Sequence, residues 1–85
     1  MTDQEIVSTI NSSLAEEFEL NPEHMVPEAI IYEDLGLDSL DIVDLVIVLE
    51  SAFGFKIREE AAVRQIRTLG DIHSFVIGKK REMEH

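Results

Sequence analysis

Ser39-Leu40-Asp41-Ile42-Val43-Asp44-Leu45-Val46-Ile47-Val48-Leu49-Glu50-Ser51-Ala52-Phe53 is the stretch whose reading decides the fold. Its centre, Leu45 to Leu49, has the β-branched character of a strand. The stretch is nevertheless 15 residues long and holds Asp41, Asp44 and Glu50. Neither the acids nor the apolar residues alternate with a period of two, and a buried strand usually ends within four to eight residues. The pattern therefore predicts a helix. On a helical projection Ile42, Leu45, Val46, Leu49 and Phe53 share one stripe, assigned to the core. Leu40, Val43 and Ile47 form a second stripe on the far side, flanked by Asp44 and Glu50, with Asp41 further round. A helix needs one stripe for its own core. The second is either covered by the segment 19–38 or left as a docking face with an apolar centre and an acidic rim.

Working outward, Thr2-Asp3-Gln4-Glu5 reads as a capping box, with Thr2 as N-cap. Ile6, Val7, Ile10, Leu14 and Phe18 then recur at helical spacing, and Leu20-Asn21-Pro22 stops the pattern, giving a first helix over residues 3–18. Residues 19–38 form a long connection with Pro22, Pro27 and the apolar Met25, Val26, Ile30, Ile31, Leu35 and Leu37. A connection that apolar is expected to pack over the core, and one that long is usually functional. Lys56 to Gln65 is compatible with a short helix. Thr68 reads as another N-cap, with Asp71 three residues on, ahead of the stripe Leu69, Ile72, Phe75 and Val76. Gly78 is expected to end that helix, and Lys79-Lys80-Arg81 suits a helix C-terminus electrostatically. The expected fold is all-α: a small four-helix bundle of three longer helices and a short third one, with a long connection between the first two. It forms a single domain over residues 1–85, with 79–85 as a frayed tail.

Composition excludes several classes. The 85 residues include 18 acids and 7 Lys or Arg, a formal net charge of −11. A general nucleic-acid binder would be basic. The longest apolar run, Leu45 to Leu49, is far short of the ~18 residues of a membrane span. No secretory signal pattern opens the chain, so the match of Asn11-Ser12-Ser13 to a glycosylation acceptor is read as chance and a cytoplasmic location is expected. Cysteine is absent, which removes disulfides, thiolate metal sites and a cysteine nucleophile. Residues 1–55 hold 13 acids without one Lys or Arg, while residues 56–85 hold five acids and all seven bases. An acidic surface often serves solubility alone, but this asymmetry points to a positively charged protein partner.

The segment Asp34-Leu35-Gly36-Leu37-Asp38-Ser39-Leu40 carries the chemistry. Gly36 allows a sharp turn, and Ser39 falls at or near the N-terminus of the second helix, where serine by itself signals no more than a cap. A nucleophilic serine needs a base within reach. Of His24, His73 and His85, none is placed near Ser39 by the sequence, and Asp41 breaks the G-x-S-x-G elbow. His24 and His73 read as surface or boundary residues. Asp34, Asp38, Asp41 and Asp44 lack the glycine and twelfth-position glutamate of a calcium loop.

Asp34-Leu35-Gly36-Leu37-Asp38-Ser39-Leu40-Asp41 resembles the phosphopantetheine attachment motif of acyl carrier proteins, whose core is D-S-L after a leucine-glycine turn. The resemblance continues through Val43-Asp44-Leu45-Val46, Leu49-Glu50, Phe53, Ile57, Glu59-Glu60-Ala61 and the Ile66–Val76 segment. It implies a carrier and not an enzyme, a monomer that spans no membrane and binds no metal. A separate phosphopantetheinyl transferase would join 4′-phosphopantetheine from coenzyme A to Ser39. The arm's thiol would carry acyl groups as thioesters for partner enzymes of fatty-acid or related biosynthesis, and the bundle interior would shelter the acyl chain. A helix N-terminus suits a phosphate, and a chain without cysteine needs an imported thiol. The resemblance also assigns Asp38, Leu40, Asp41, Val43, Asp44, Ile47 and Glu50 to the face recognised by basic docking patches on those enzymes. Ser51 and Ala52 stand where many members are more acidic, Ile47 where methionine is frequent, and Arg58, Arg64 and Arg67 make the region after that helix basic. These departures bear on the partner set, and a specialised pathway is as open as general fatty-acid synthesis. A different class of function, an unmodified acidic helical adaptor for a basic partner, is the alternative.

Overall fold

The computed structural model describes residues 2–57 and 63–83. Three α-helices carry the architecture: α1 (Asp3–Phe18), α2 (Ser39–Phe53) and α3 (Leu69–Met83), with a 3-10 turn at Pro22–His24. No strand occurs among the described residues beyond an isolated bridge between Ile30 and Thr68. No described helix is long and apolar enough to cross a membrane. The short helix expected between Lys56 and Gln65 falls largely on residues 58–62, outside the described residues; after them the Ile66 amide donates to the Val63 carbonyl at 3.1 Å.

The helix starts follow from local capping chemistry. At α1 the Glu5 amide donates to Thr2 Oγ1 at 3.1 Å, and the Thr2 amide donates to Glu5 Oε1 at 3.0 Å. The Thr2 backbone amide is the main cause that holds the Glu5 carboxyl below its ordinary pKa. At α3 the amides of Arg67 and Thr68 donate to Asp71 Oδ2, and the Asp71 amide returns to Thr68 Oγ1. Those two amides, Arg67 first, lower the Asp71 pKa. Each reciprocal pair satisfies donors that a helix leaves open at its first turn.

The core takes Ile6, Ile10 and Leu14 from α1, Leu45, Leu49 and Phe53 from α2, and Leu69, Ile72 and Val76 from α3. The 19–38 connection completes it with Met25, Ala29, Ile31, Leu35 and Leu37, while Val26, Ile30 and Tyr32 stay exposed. Backbone hydrogen bonds tie the connection to the start of α3. The Ile31 amide donates to the Arg67 carbonyl at 2.9 Å, the Leu69 amide to Ala29 at 3.0 Å, and the Gly70 amide to Pro27 at 2.8 Å. A Cβ at position 70 would stand 3.0 Å from the Pro27 carbonyl oxygen, so glycine is what permits that approach.

Three expectations change. α3 does not end at Gly78 but runs on to Met83. Lys79 lies over the Phe75 ring, 5.9 Å from its centroid, and Arg81 pairs with Asp3 of α1 at 2.9 Å, so the extra turn has partners. Val46 is only half-buried and is absent from the packed cluster, whereas Val48 packs against it. His73, expected at the surface or boundary, is a buried residue of α3.

Candidate functional site

The approach to α2 is a folded turn. The amides of Asp34 and Leu35 both donate to the Ile30 carbonyl, and Asp34 Oδ2 accepts from the Ile30 amide at 2.7 Å. The Leu37 amide donates to Ile31 at 3.1 Å. Leu35 and Leu37 are buried on either side of Gly36, which has a φ of 69°. That left-handed backbone, cheap only for glycine, lets both leucines point into the core while the chain reverses towards α2.

Asp38, not Ser39, caps α2. Its Oδ1 accepts from the Leu40 and Asp41 amides, both at 3.0 Å, and Asp41 Oδ2 accepts from the Asp38 amide at 3.0 Å. Ser39 is therefore the first helical residue. It is exposed, and its hydroxyl has no hydrogen-bond partner among the described residues. The serine is relieved of the capping role that would otherwise explain it. However, the amides of Leu40 and Asp41 are already taken by Asp38, so a phosphate here would meet the helix dipole without those two donors.

Beyond Ser39 the outer stripe of α2 is open. Leu40, Val43 and Ile47 are 77%, 58% and 56% exposed. The 19–38 connection packs elsewhere and does not cover them. The acids around the stripe differ in their duties. Asp44 is exposed. Asp38 and Asp41 bond each other's backbone. Glu50 is half-buried, and its Oε2 accepts from the Ile57 amide at 2.8 Å, holding the chain that leaves α2. That tie across seven residues has no local sequence signature. Beside the stripe runs an open groove of about 380 Å³, lined by Ile42, Val43, Val46, Ile47, Ile57, Val63 and Arg64. Neither Val46 nor Arg64 was assigned to a site by the sequence pattern, since a groove wall of this kind is set by how two segments pack. None of the histidines among the described residues lines this groove.

Residues 8–76 match the family model described as a phosphopantetheine attachment site. The chain is 38% identical over 79 residues to an acyl carrier protein of Thermosynechococcus vestitus, covering 93% of this chain and 96% of that one. It is 42% identical over 72 residues to acyl carrier protein 2 of Ralstonia nicotianae, covering 85% and 88%. It is also 41% identical over 73 residues to an acyl carrier protein of Thermotoga maritima, covering 86% and 89%. The chain belongs to the acyl carrier protein family, whose cofactor is phosphopantetheine and whose members are carriers and not catalysts.

Proposed function

We propose that the Ser39 hydroxyl receives 4′-phosphopantetheine from coenzyme A. The observation that carries this reading is an exposed serine hydroxyl on the first residue of α2, left unused because Asp38 does the capping. The Ser39 oxygen–phosphorus bond forms as the coenzyme A pyrophosphate is cleaved, the hydroxyl proton is lost and the nucleotide half departs. The thiol at the end of the arm then holds acyl groups as thioesters for fatty-acid or related biosynthesis.

Asp38, Leu40, Asp41, Val43, Asp44, Ile47 and Glu50 make the partner face, with the exposed Leu40, Val43 and Ile47 at its apolar centre. Basic docking patches on the transferase and on acyl-processing enzymes complement it, favoured by the 13 acids and absence of Lys or Arg over residues 1–55. Asp44 is its most available charge, because the carboxylates of Asp38, Asp41 and Glu50 also hold backbone amides. The same reading makes residues 1–85 one cytoplasmic, monomeric domain, a four-helix bundle whose short helix lies between Lys56 and Gln65.

Incubation of the unmodified protein with a phosphopantetheinyl transferase and coenzyme A tests this by intact mass. The wild type gains one phosphopantetheine and Ser39→Ala gains none. A wild type that stays unmodified, yet still binds a basic partner, is the adaptor instead.

A further inference from the structure

Ile47 stands between two grooves. On one side lies the groove that Arg64 lines. On the other, a second open groove of about 460 Å³ lies between α2 and α1. Its α2 wall, at Ile47, Ser51 and Ala52, holds no charge, and Ile47 is 56% exposed. Its α1 wall is Ser13, Glu16 and Glu17, with both glutamates exposed. Neither carboxylate has a hydrogen bond or ion pair among the described residues. The apolar ridge at Ile47 thus has carboxylates on one flank and a guanidinium on the other.

These glutamates do not serve the helix that carries them. They sit in the last turn of α1, just ahead of its C-cap Glu19, and that turn holds no basic residue. The carbonyl end of a helix carries partial negative charge, so acids are unfavourable there and Lys or Arg favourable. The facing wall adds to this, because Ser51 and Ala52 belong to the last turn of α2, which also lacks a basic residue. Two helix carbonyl ends and two carboxylates therefore converge on one groove. The other charges near that end of α2 are Glu50, whose carboxylate holds the Ile57 amide, and Lys56 beyond the helix. A local arrangement that opposes folding marks a place kept for function.

On the reading that Ser39 takes the arm, we propose that Glu16 and Glu17 extend the partner face from α2 onto α1, where the groove receives a Lys or Arg side chain of the phosphopantetheinyl transferase. Along α2, Ser51 lies about 18 Å from Ser39 at a rise of about 1.5 Å per residue. An interface of standard size, about 800 Å² on each partner, is about 30 Å across. An enzyme that holds Ser39 in its active site and rests an apolar residue on Ile47 therefore reaches the groove. A cation seated there gains from two carboxylates and two helix ends, whereas on the opposite flank it meets Arg64. The unequal flanks fix which way round the enzyme lies across α2.

The rate of modification by a phosphopantetheinyl transferase and coenzyme A, at limiting concentrations of this protein, reads kcat/KM and tests the proposal. Glu16→Lys/Glu17→Lys is compared with Glu23→Lys/Glu28→Lys, which changes the net charge equally at two exposed glutamates of the connection. At low salt the α1 pair is expected to slow modification about tenfold and the connection pair about twofold or less, with the gap narrowing as salt is added. The α1 variant is expected to melt at or above the wild-type temperature, because lysine suits a helix C-terminus. Should it melt lower, Glu16→Gln/Glu17→Gln, which removes charge without adding any, decides by the same rate: a several-fold loss supports the groove and no loss overturns it. Equal losses in the two lysine variants would show that net charge alone matters, and an unchanged rate in the α1 variant would show that the enzyme does not touch the groove; either overturns the proposal. A wild type that takes no arm at all is a separate result, which removes the reading of Ser39 and the proposal with it.

Discussion

Alanine at position 49 and alanine at position 47 remove similar side chains from the same helix, two residues apart, yet should have opposite consequences. Leu49 is 1% exposed, a member of the buried core cluster to which all three helices contribute. Truncating such a leucine costs about 2–5 kcal/mol, the sum of lost transfer energy and an unfilled cavity. A domain of this size has a total stability of roughly 5–10 kcal/mol, so Leu49→Ala removes much of it. Ile47 is 56% exposed. The burial it gives up is partly offset because alanine has the better helix propensity, and the net change should stay within about 0.5 kcal/mol. Urea denaturation followed by far-UV circular dichroism separates the two. With a slope of about 1 kcal/mol/M for so small a domain, the midpoint should fall by about 2 M or more for Leu49→Ala and by about half a molar or less for Ile47→Ala. In a transferase assay Ile47→Ala should nevertheless slow modification, since apolar anchors at the centre of an interface carry much of its binding energy. If Ile47→Ala unfolds the protein as badly as Leu49→Ala, the outer stripe is buried and the partner face assigned to Val43 and Ile47 is wrong.

Asp44→Lys should weaken the same partners chiefly through association rate; a rate loss that persists undiminished at high salt would contradict an electrostatic role. Asp38→Ala should destabilise the fold by about 1 kcal/mol, the usual cost of removing an N-cap side chain, and a neutral result in thermal unfolding would deny its capping role. Raising ionic strength from low to moderate values should raise the melting temperature, because a net charge of −11 repels itself over a Debye length of ~10 Å at 0.1 M. A flat or falling melting temperature would refute that.

What was legible in the sequence was local. Thr2 with Glu5, and Thr68 with Asp71, announce helix starts because a side chain three residues away satisfies the open amides; both pairs form. The inner stripe of α2 predicts Leu45, Leu49 and Phe53 as core. The exposure of the outer stripe was not decidable, because it depends on where the 19–38 connection lies, and that is fixed by non-local backbone bonds from Ile31, Ala29 and Pro27 to Arg67, Leu69 and Gly70. The continuation past Gly78 was hidden for a similar reason: the last turn is supported by Phe75 and by Asp3, a residue at the other end of the chain. His73 reads as polar in any pattern, and only the presence of Asn11 opposite it makes its burial tolerable. The site itself was half legible. Ser39 stood out, whereas the cap that frees its hydroxyl belongs to Asp38, and Glu50 turned out to fasten Ile57.

Proteolytic mapping of the transferase-modified protein by tandem mass spectrometry tests whether the Ser39 hydroxyl is the one that takes the arm. The sequence offers serines at 8, 12, 13, 39, 51 and 74. The phosphopantetheine mass is predicted on the fragment containing Ser39 and on no other, with fragmentation placing it on that residue. Its appearance on any of the other five serines would contradict the account.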